Sequence, residues 1–207
     1  MTDYTSLAER GSLEKAIAAL GDRGVAAELV ETRTQALERL IGIIPSGATL
    51  MTGASATLRE IGFEAEIARE DHGWIYLRPG ILAEKDLARQ MAMRRGSLLA
   101  DCFVGSVQAL TENGEVVAAS GSGSQLAPYA YSSSRIVWVV GGQKVVLTLE
   151  DALRRVREHC TPKVQEMADG MGRPELGVLG KILIFEREMP YVKRTVHLIL
   201  VNEAIGF

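Results

Sequence analysis

The residues of this chain best suited to chemistry lie in three short loops rich in glycine and hydroxyl groups. TGASAT, residues 52–57, places Gly53 where the backbone can approach a ligand closely, and sets the Ser55 and Thr57 hydroxyls beside a helix start. Phosphate, carboxylate or another anion suits such a loop. The same residues serve equally as a chain turn and a helix cap. The loop has neither the G-x-x-x-x-G-K-[ST] spacing of a P-loop nor a G-x-G-x-x-G dinucleotide fingerprint. SGSGSQ, residues 120–125, carries Gly121, Ser122, Gly123 and Ser124 and reads as an anion nest or as a flexible turn. In VGGQK, residues 140–144, a strand ends at Gly141 and Gly142 ahead of Lys144. That lysine can supply a point charge or, desolvated, an acid/base group, against the general tendency of lysines to stay solvated.

Two carboxylates join these candidates. Glu112 sits in a turn after a strand-like run and Glu203 follows the last one, so both can reach a ligand at strand ends, although turn glutamates are usually just exposed. His72, His159 and His197 fit no close metal-binding spacing, and no metal is expected. Cys102 and Cys160 lie far apart without a CxxC pair, which argues against a disulfide framework, a zinc site or an iron–sulfur cluster in this chain and for reduced thiols. There is no G-x-S-x-G nucleophile elbow.

The elements that must position these residues alternate. Leu13, Ile17 and Leu20 after a possible Ser12 cap predict a first helix, VAAELV a strand, and Thr32 with Gln35 a capping box for a helix buried through Leu37, Leu40, Ile41 and Ile44. ATLMT predicts a strand, with a further cap signature from Thr57 to Glu60. EAEIARE has helical composition and GWIYLR extended composition. A helix over Glu84 to Arg95 is expected to bury Leu87, Ala88, Met91 and Ala92. ADCFVGS, the Asn113-Gly114 turn and EVVAAS predict a strand and hairpin, and RIVWVV a buried strand. Thr148 caps a helix that Pro162 interrupts or ends, and KILIFERE and TVHLILVNE are two further strands. The expected fold class is α/β, a largely parallel mixed sheet flanked by helices with a β-hairpin, in one domain over residues 1–207: an N-terminal helical segment 1–23 and an α/β core 24–207.

A chain of 207 residues, 47% apolar with net charge −3, has ample core and no electrostatic reason to bind nucleic acid. Arg154, Arg155 and Arg157 at helical spacing read as a solvated face. The N-terminus lacks the basic and apolar regions of a secretory signal, and no stretch approaches the ~20 apolar residues of a membrane span, so a cytoplasmic protein without membrane contact is expected.

GSVQALTENGEVVAASGSGSQLAPYAYSSSRIVWVVGGQKVV resembles the block pattern of the lactate-utilisation (LUD) domain family. TGASATLREIGF is similar to that family's G-x-S-x-T-L-x-E-I-G element, and HLILVNEAIGF to its closing [VI]-L-V-x-E-x-[LI]-G-[FY]. The resemblance implies a Rossmann-like fold of the NagB/RpiA/CoA-transferase-like superfamily, whose strand-end loops bind anionic metabolites. It adds Gly105 and Ser106, the start of GSVQALT, to the ligand-binding set of Gly53, Ser55, Thr57, Gly121, Ser122, Gly123, Ser124, Gly141, Gly142 and Glu203. Gln108 stands where relatives often present Asn or His. The implied function is an accessory component of L-lactate utilisation that binds a small anion, with redox chemistry in iron–sulfur oxidoreductase subunits and no cofactor of its own. Two other readings are an isomerase or transferase acting on a CoA thioester or sugar phosphate, with Glu112 as base or nucleophile and Lys144 as its electrostatic partner, and a non-catalytic interaction module. Assembly with further copies of the chain is left open.

Overall fold

The structure, a computed structural model, describes residues 3–69 and 71–207. Its frame is a six-stranded, wholly parallel sheet in the order β1-β10-β7-β4-β2-β3. These strands are β1 Ala26–Val30, β2 Thr49–Thr52, β3 Ile75–Tyr76, β4 Cys102–Gly105, β7 Arg135–Gly141 and β10 Thr195–Val201. RIVWVVG and TVHLILV read as near-continuous apolar runs because both faces of their strands are covered. Side chains alternate along β7: Ile136, Trp138 and Val140 enter one core with Leu13 and Leu20 of α1 (Arg10–Asp22), while Val137 and Val139 enter the other with Ala36 and Leu40 of α2 (Arg33–Ile43). Edge-on ring contacts link Phe103, Tyr129, Trp138 and Phe185 through the first of these cores.

A second, four-stranded sheet has the order β8-β5-β6-β9, from β5 Ala109–Thr111, β6 Val116–Ser120, β8 Val145–Val146 and β9 Lys181–Phe185. β5 and β6 form the expected hairpin around Gly114, whose φ of 88° requires glycine. Ala152 and Val156 cover this sheet from α7, Leu149–Arg155, and the turn after it. The pairing has a consequence for the site. β4 and β7 are parallel neighbours in the first sheet, and their continuations β5 and β8 are parallel neighbours in the second. Both chains therefore break and change sheets side by side, at residues 106–108 and 142–144.

Most local signals act as expected. Thr32 and Gln35 form a reciprocal capping box, and Thr148 caps α7 by accepting from the Asp151 N–H at 3.1 Å. α4, Phe63–Ile67, takes in the first four residues of EAEIARE, and GWIYLR contains β3; Glu70, like Met1 and Thr2 of the N-terminal segment, lies outside the described residues. Three expectations are corrected. α1 is preceded by Glu9 rather than capped by Ser12, which lies inside the helix with its hydroxyl on Glu112. The next short helix, α3 (Ala56–Glu60), is capped by Ser55, whose Oγ accepts from the Leu58 N–H, so Thr57 is free to turn inward. α6 begins at Leu87 behind an Asp86 cap and buries none of its residues, leaving Leu87 77% and Met91 48% exposed. Pro162 marks an interruption, as expected: one wide turn at Val156–Cys160 separates α7 from α8 (Thr161–Gly170), and the proline sits in the first turn of α8. Between α4 and α6, α5 spans Arg78–Ala83.

The connection from β2 leads outward to the edge strand β3, whereas that from β4 leads the other way to β7. The carboxyl ends of β2 and β4 therefore flank a topological switch point, where open parallel sheets leave a crevice.

Candidate functional site

That crevice is lined from three directions. The loop after β2 contributes Ala54, Ser55 and Thr57, the break after β4 contributes Ser106 and Gln108, and the break after β7 contributes Lys144. Ser120, Gly121 and Gln125 close one side of a cleft of about 230 Å³. At its base the Lys144 ammonium donates to Thr57 Oγ1 at 2.9 Å and Ser106 Oγ at 3.1 Å, and the two hydroxyls lie 3.2 Å apart. The alternate-sheet breaks bring Ser106 and Lys144 together, and the cap at Ser55 turns Thr57 onto them.

The electrostatics of this triangle are unusual. Lys144 is 2% exposed and, among the described residues, forms no ion pair. The Glu60 carboxylate is taken by the Gly206 N–H at 3.0 Å. Burial, then the charge of Arg155, push the amine down to about 7 from 10.5. Arg155 corrects the sequence reading. It is not part of a solvated face but wholly buried on the face of α7 that carries Ala152, donating to the Gln108 carbonyl, to Cys160 Sγ at 3.1 Å and to the Tyr4 carbonyl at 3.4 Å. Arg154 and Arg157 do lie outside. Two basic side chains thus lie in the interior with no carboxylate paired to them among the described residues.

The other candidates are distributed differently. Gly53 lies at the cleft's edge, where an added Cβ would be 2.6 Å from Gln125 Oε1. Gly105 has no room for a side chain because Tyr129 packs over it and donates to the Ser106 carbonyl at 3.1 Å. Gly141 and Gly142 face the chain's own last segment: a Cβ on Gly141 would be 2.6 Å from the Ile205 carbonyl, and Gly142 N–H donates to the Glu203 carbonyl at 3.0 Å. Gln143 fastens the same segment by donating to the Ile205 and Gly206 carbonyls. Of SGSGSQ, Gly121 lines the cleft, whereas Ser122, Gly123 and Ser124 make a loop that bonds to itself, with Ser122 and Ser124 hydroxyls 3.0 Å apart.

Neither carboxylate reaches the cleft. Glu112 receives Ser12 Oγ at 2.6 Å and Lys15 Nζ at 2.7 Å, both from α1, and these bonds hold its carboxyl below the usual range. Glu203 receives the backbone N–H and Nε of Arg33, at 3.1 and 2.6 Å. Sequence reasoning had no role for Gln125, Arg155, Val164 or Phe207, of which all but Arg155 line the cleft. Gln125 stands in a loop the sequence singled out. Phe207 closes the HLILVNEAIGF element, also singled out, and nothing local marks Arg155 or Val164, because their places depend on helix packing.

Among curated proteins none matches this sequence. The crystal structure of a DUF162 family protein from Deinococcus radiodurans is similar in fold, with 14% identity, a TM-score of 0.54, and coverage of 95% of this chain and 98% of that one. A family model described as the LUD domain matches residues 13–171, which include TGASAT, Ser106, SGSGSQ and Lys144. No helix among the described residues is long and apolar enough to cross a membrane. With most of its length matched by that model, the chain belongs to the LUD domain family.

Proposed function

We propose that the cleft at Thr57, Ser106 and Lys144 binds a small anionic metabolite. On this reading the chain serves as an accessory component of L-lactate utilisation in the cytoplasm, where partner iron–sulfur subunits carry the oxidation of lactate to pyruvate. The observation that carries the binding reading is the buried Lys144 amine, facing a cleft and, among the described residues, held by two hydroxyls alone. A carboxylate or phosphate placed there meets a desolvated cation, Ser and Thr donors and little competing water, conditions in which a charge-assisted hydrogen bond is strongest. The lactate setting rests on the family alone. An isomerase or transferase with Glu112 as base or nucleophile finds little support, since that carboxylate is engaged by α1 and absent from the cleft lining.

Calorimetric titration with L-lactate, pyruvate and inorganic phosphate tests the site. At least one is expected to bind wild type and to lose binding in Lys144→Met. Absence of binding by all three at pH 6.5, where the amine is charged, counts against it. Anaerobic copurification with an iron–sulfur protein tests the accessory role, and failure to recover one under reducing conditions counts against that role.

A further inference from the structure

We propose that the crevice has a second subsite, reached across the Gly53–Ala54 step, and that the ligand is an anion carrying a flat heteroaromatic ring, as in a nucleoside monophosphate. The inference deepens the anion-binding reading and rests on it for the charged end of the ligand.

A cavity of about 660 Å³ opens beyond the carboxyl ends of β2 and β3. Gly53 lines this cavity and Ala54 lines the Lys144 cleft, so consecutive residues, with Cα atoms ~3.8 Å apart, form the boundary between them. The cleft of about 230 Å³ suits only a small anion, whereas the larger cavity falls in the ordinary range for metabolite pockets, roughly 300–1,000 Å³. A ligand filling both lies along the carboxyl edge of three adjacent strands, β4, β2 and β3.

The walls of the larger cavity favour a ring. Phe63, His72, Trp74 and Tyr76 all line it, with His72 and Tyr76 partly exposed, Trp74 nearly buried and Phe63 wholly buried among them. His72 stacks on Trp74 at 4.8 Å and 15°, and Phe63 lies against Trp74 at 5.9 Å. The imidazole is fixed on both nitrogens: Nδ1 accepts from the Trp74 N–H at 3.0 Å, which leaves Nε2 to donate to the Ile67 carbonyl at 3.2 Å. It therefore offers a ring face rather than a free proton. Rings already held in place gain stacking energy without a large ordering cost. At the floor, Thr52 and Tyr76 hydroxyls share one hydrogen bond at 2.8 Å. Only one of their two protons is used there, so the pair can still donate to a ring nitrogen or carbonyl. An aliphatic tail would leave this pair unanswered, and inorganic phosphate would leave the cavity empty.

Adenosine, guanosine, cytidine and uridine 5′-monophosphates, the four nucleosides and inorganic phosphate are the probes, titrated by calorimetry and by tryptophan fluorescence. Trp74 lines the cavity while Trp138 is in the core, so quenching that disappears in Trp74→Phe reports the subsite. At least one monophosphate is expected to bind tenfold or more tighter than phosphate and to quench Trp74. Ala68→Phe, which fills the cavity from an exposed helix end, is expected to reduce that affinity to the phosphate level without weakening phosphate itself. Phosphate that binds and requires Lys144, with no gain for any monophosphate, overturns the ring subsite and leaves the anion site standing. Nucleosides that quench Trp74 while monophosphates gain nothing from Lys144 support the ring subsite and overturn the anion reading.

Discussion

Glu112 and Lys144 start from similar positions. Each is ionisable, each is almost buried, at 8% and 2% exposure, and each flanks a short strand of the second sheet. They differ in what meets them. Glu112 faces α1, which answers it with a hydroxyl and an ammonium, and its charge is satisfied within the fold. Lys144 faces a cleft at the switch point of the parallel sheet, where two hydroxyls solvate it and, among the described residues, no carboxylate pairs with it. A polar group whose needs are met by the chain is architecture. One left with charge to spare beside an opening is where a ligand contributes something the fold lacks.

The sharpest way to break the contrast is Lys144→Met. Affinity for inorganic phosphate is expected to fall ~100-fold or more, because the cation answering the buried anion is gone. Stability tells the same story from the other side. The amine falls from 10.5 unfolded to about 7 folded, so between those values the unfolded chain binds more protons. Stability therefore rises with pH across that window through this group, and is flat below it. Denaturant melts of wild type and Lys144→Met at several pH values isolate the difference; parallel pH profiles would mean that the amine carries no such penalty.

Gly105→Ala is expected to cost ~1–3 kcal/mol, since its Cβ would occupy the place of the Tyr129 hydroxyl. A variant as stable as wild type would show that packing does not demand glycine there. Ser106→Ala removes one partner of the ammonium and is expected to weaken phosphate binding by roughly fivefold, about 1 kcal/mol, with little change in melting. Glu112→Gln should have the smallest effect, because Lys15 is mostly exposed: no more than ~1 kcal/mol of stability and no change in phosphate affinity. A loss of binding in that variant would erase the distinction between the two charges.

How far these roles are legible without coordinates depends on whether they are set locally. The capping box at Thr32, the cap at Thr148 and the apolar runs of β7 and β10 are local, and they suffice for an α/β fold. TGASAT is legible as a loop with hydroxyls at Ser55 and Thr57 beside a helix start, but which of them caps and which turns inward depends on where the helix begins. The division into two sheets is not legible, since β4 to β5 and β7 to β8 run on with only short breaks, and those breaks make the site. Arg155 is hidden for a related reason: among Arg154, Arg155 and Arg157 only packing decides which guanidinium goes inside. Leu87 and Met91 show the reverse, an apolar helical face with nothing in the fold to cover it.

Proton uptake on anion binding tests the central claim most directly. Sulfate, which does not titrate near neutrality, is titrated calorimetrically into the protein at pH 7.5 in buffers of different ionisation enthalpy. An amine with a value of about 7 is mostly neutral at that pH and must take up a proton to meet the anion. The expected result is uptake of a large fraction of one proton per sulfate, with affinity falling as pH rises and both effects absent in Lys144→Met. Sulfate binding with no proton uptake and equal affinity in wild type and Lys144→Met would contradict the claim that Lys144 is the unanswered charge of this fold.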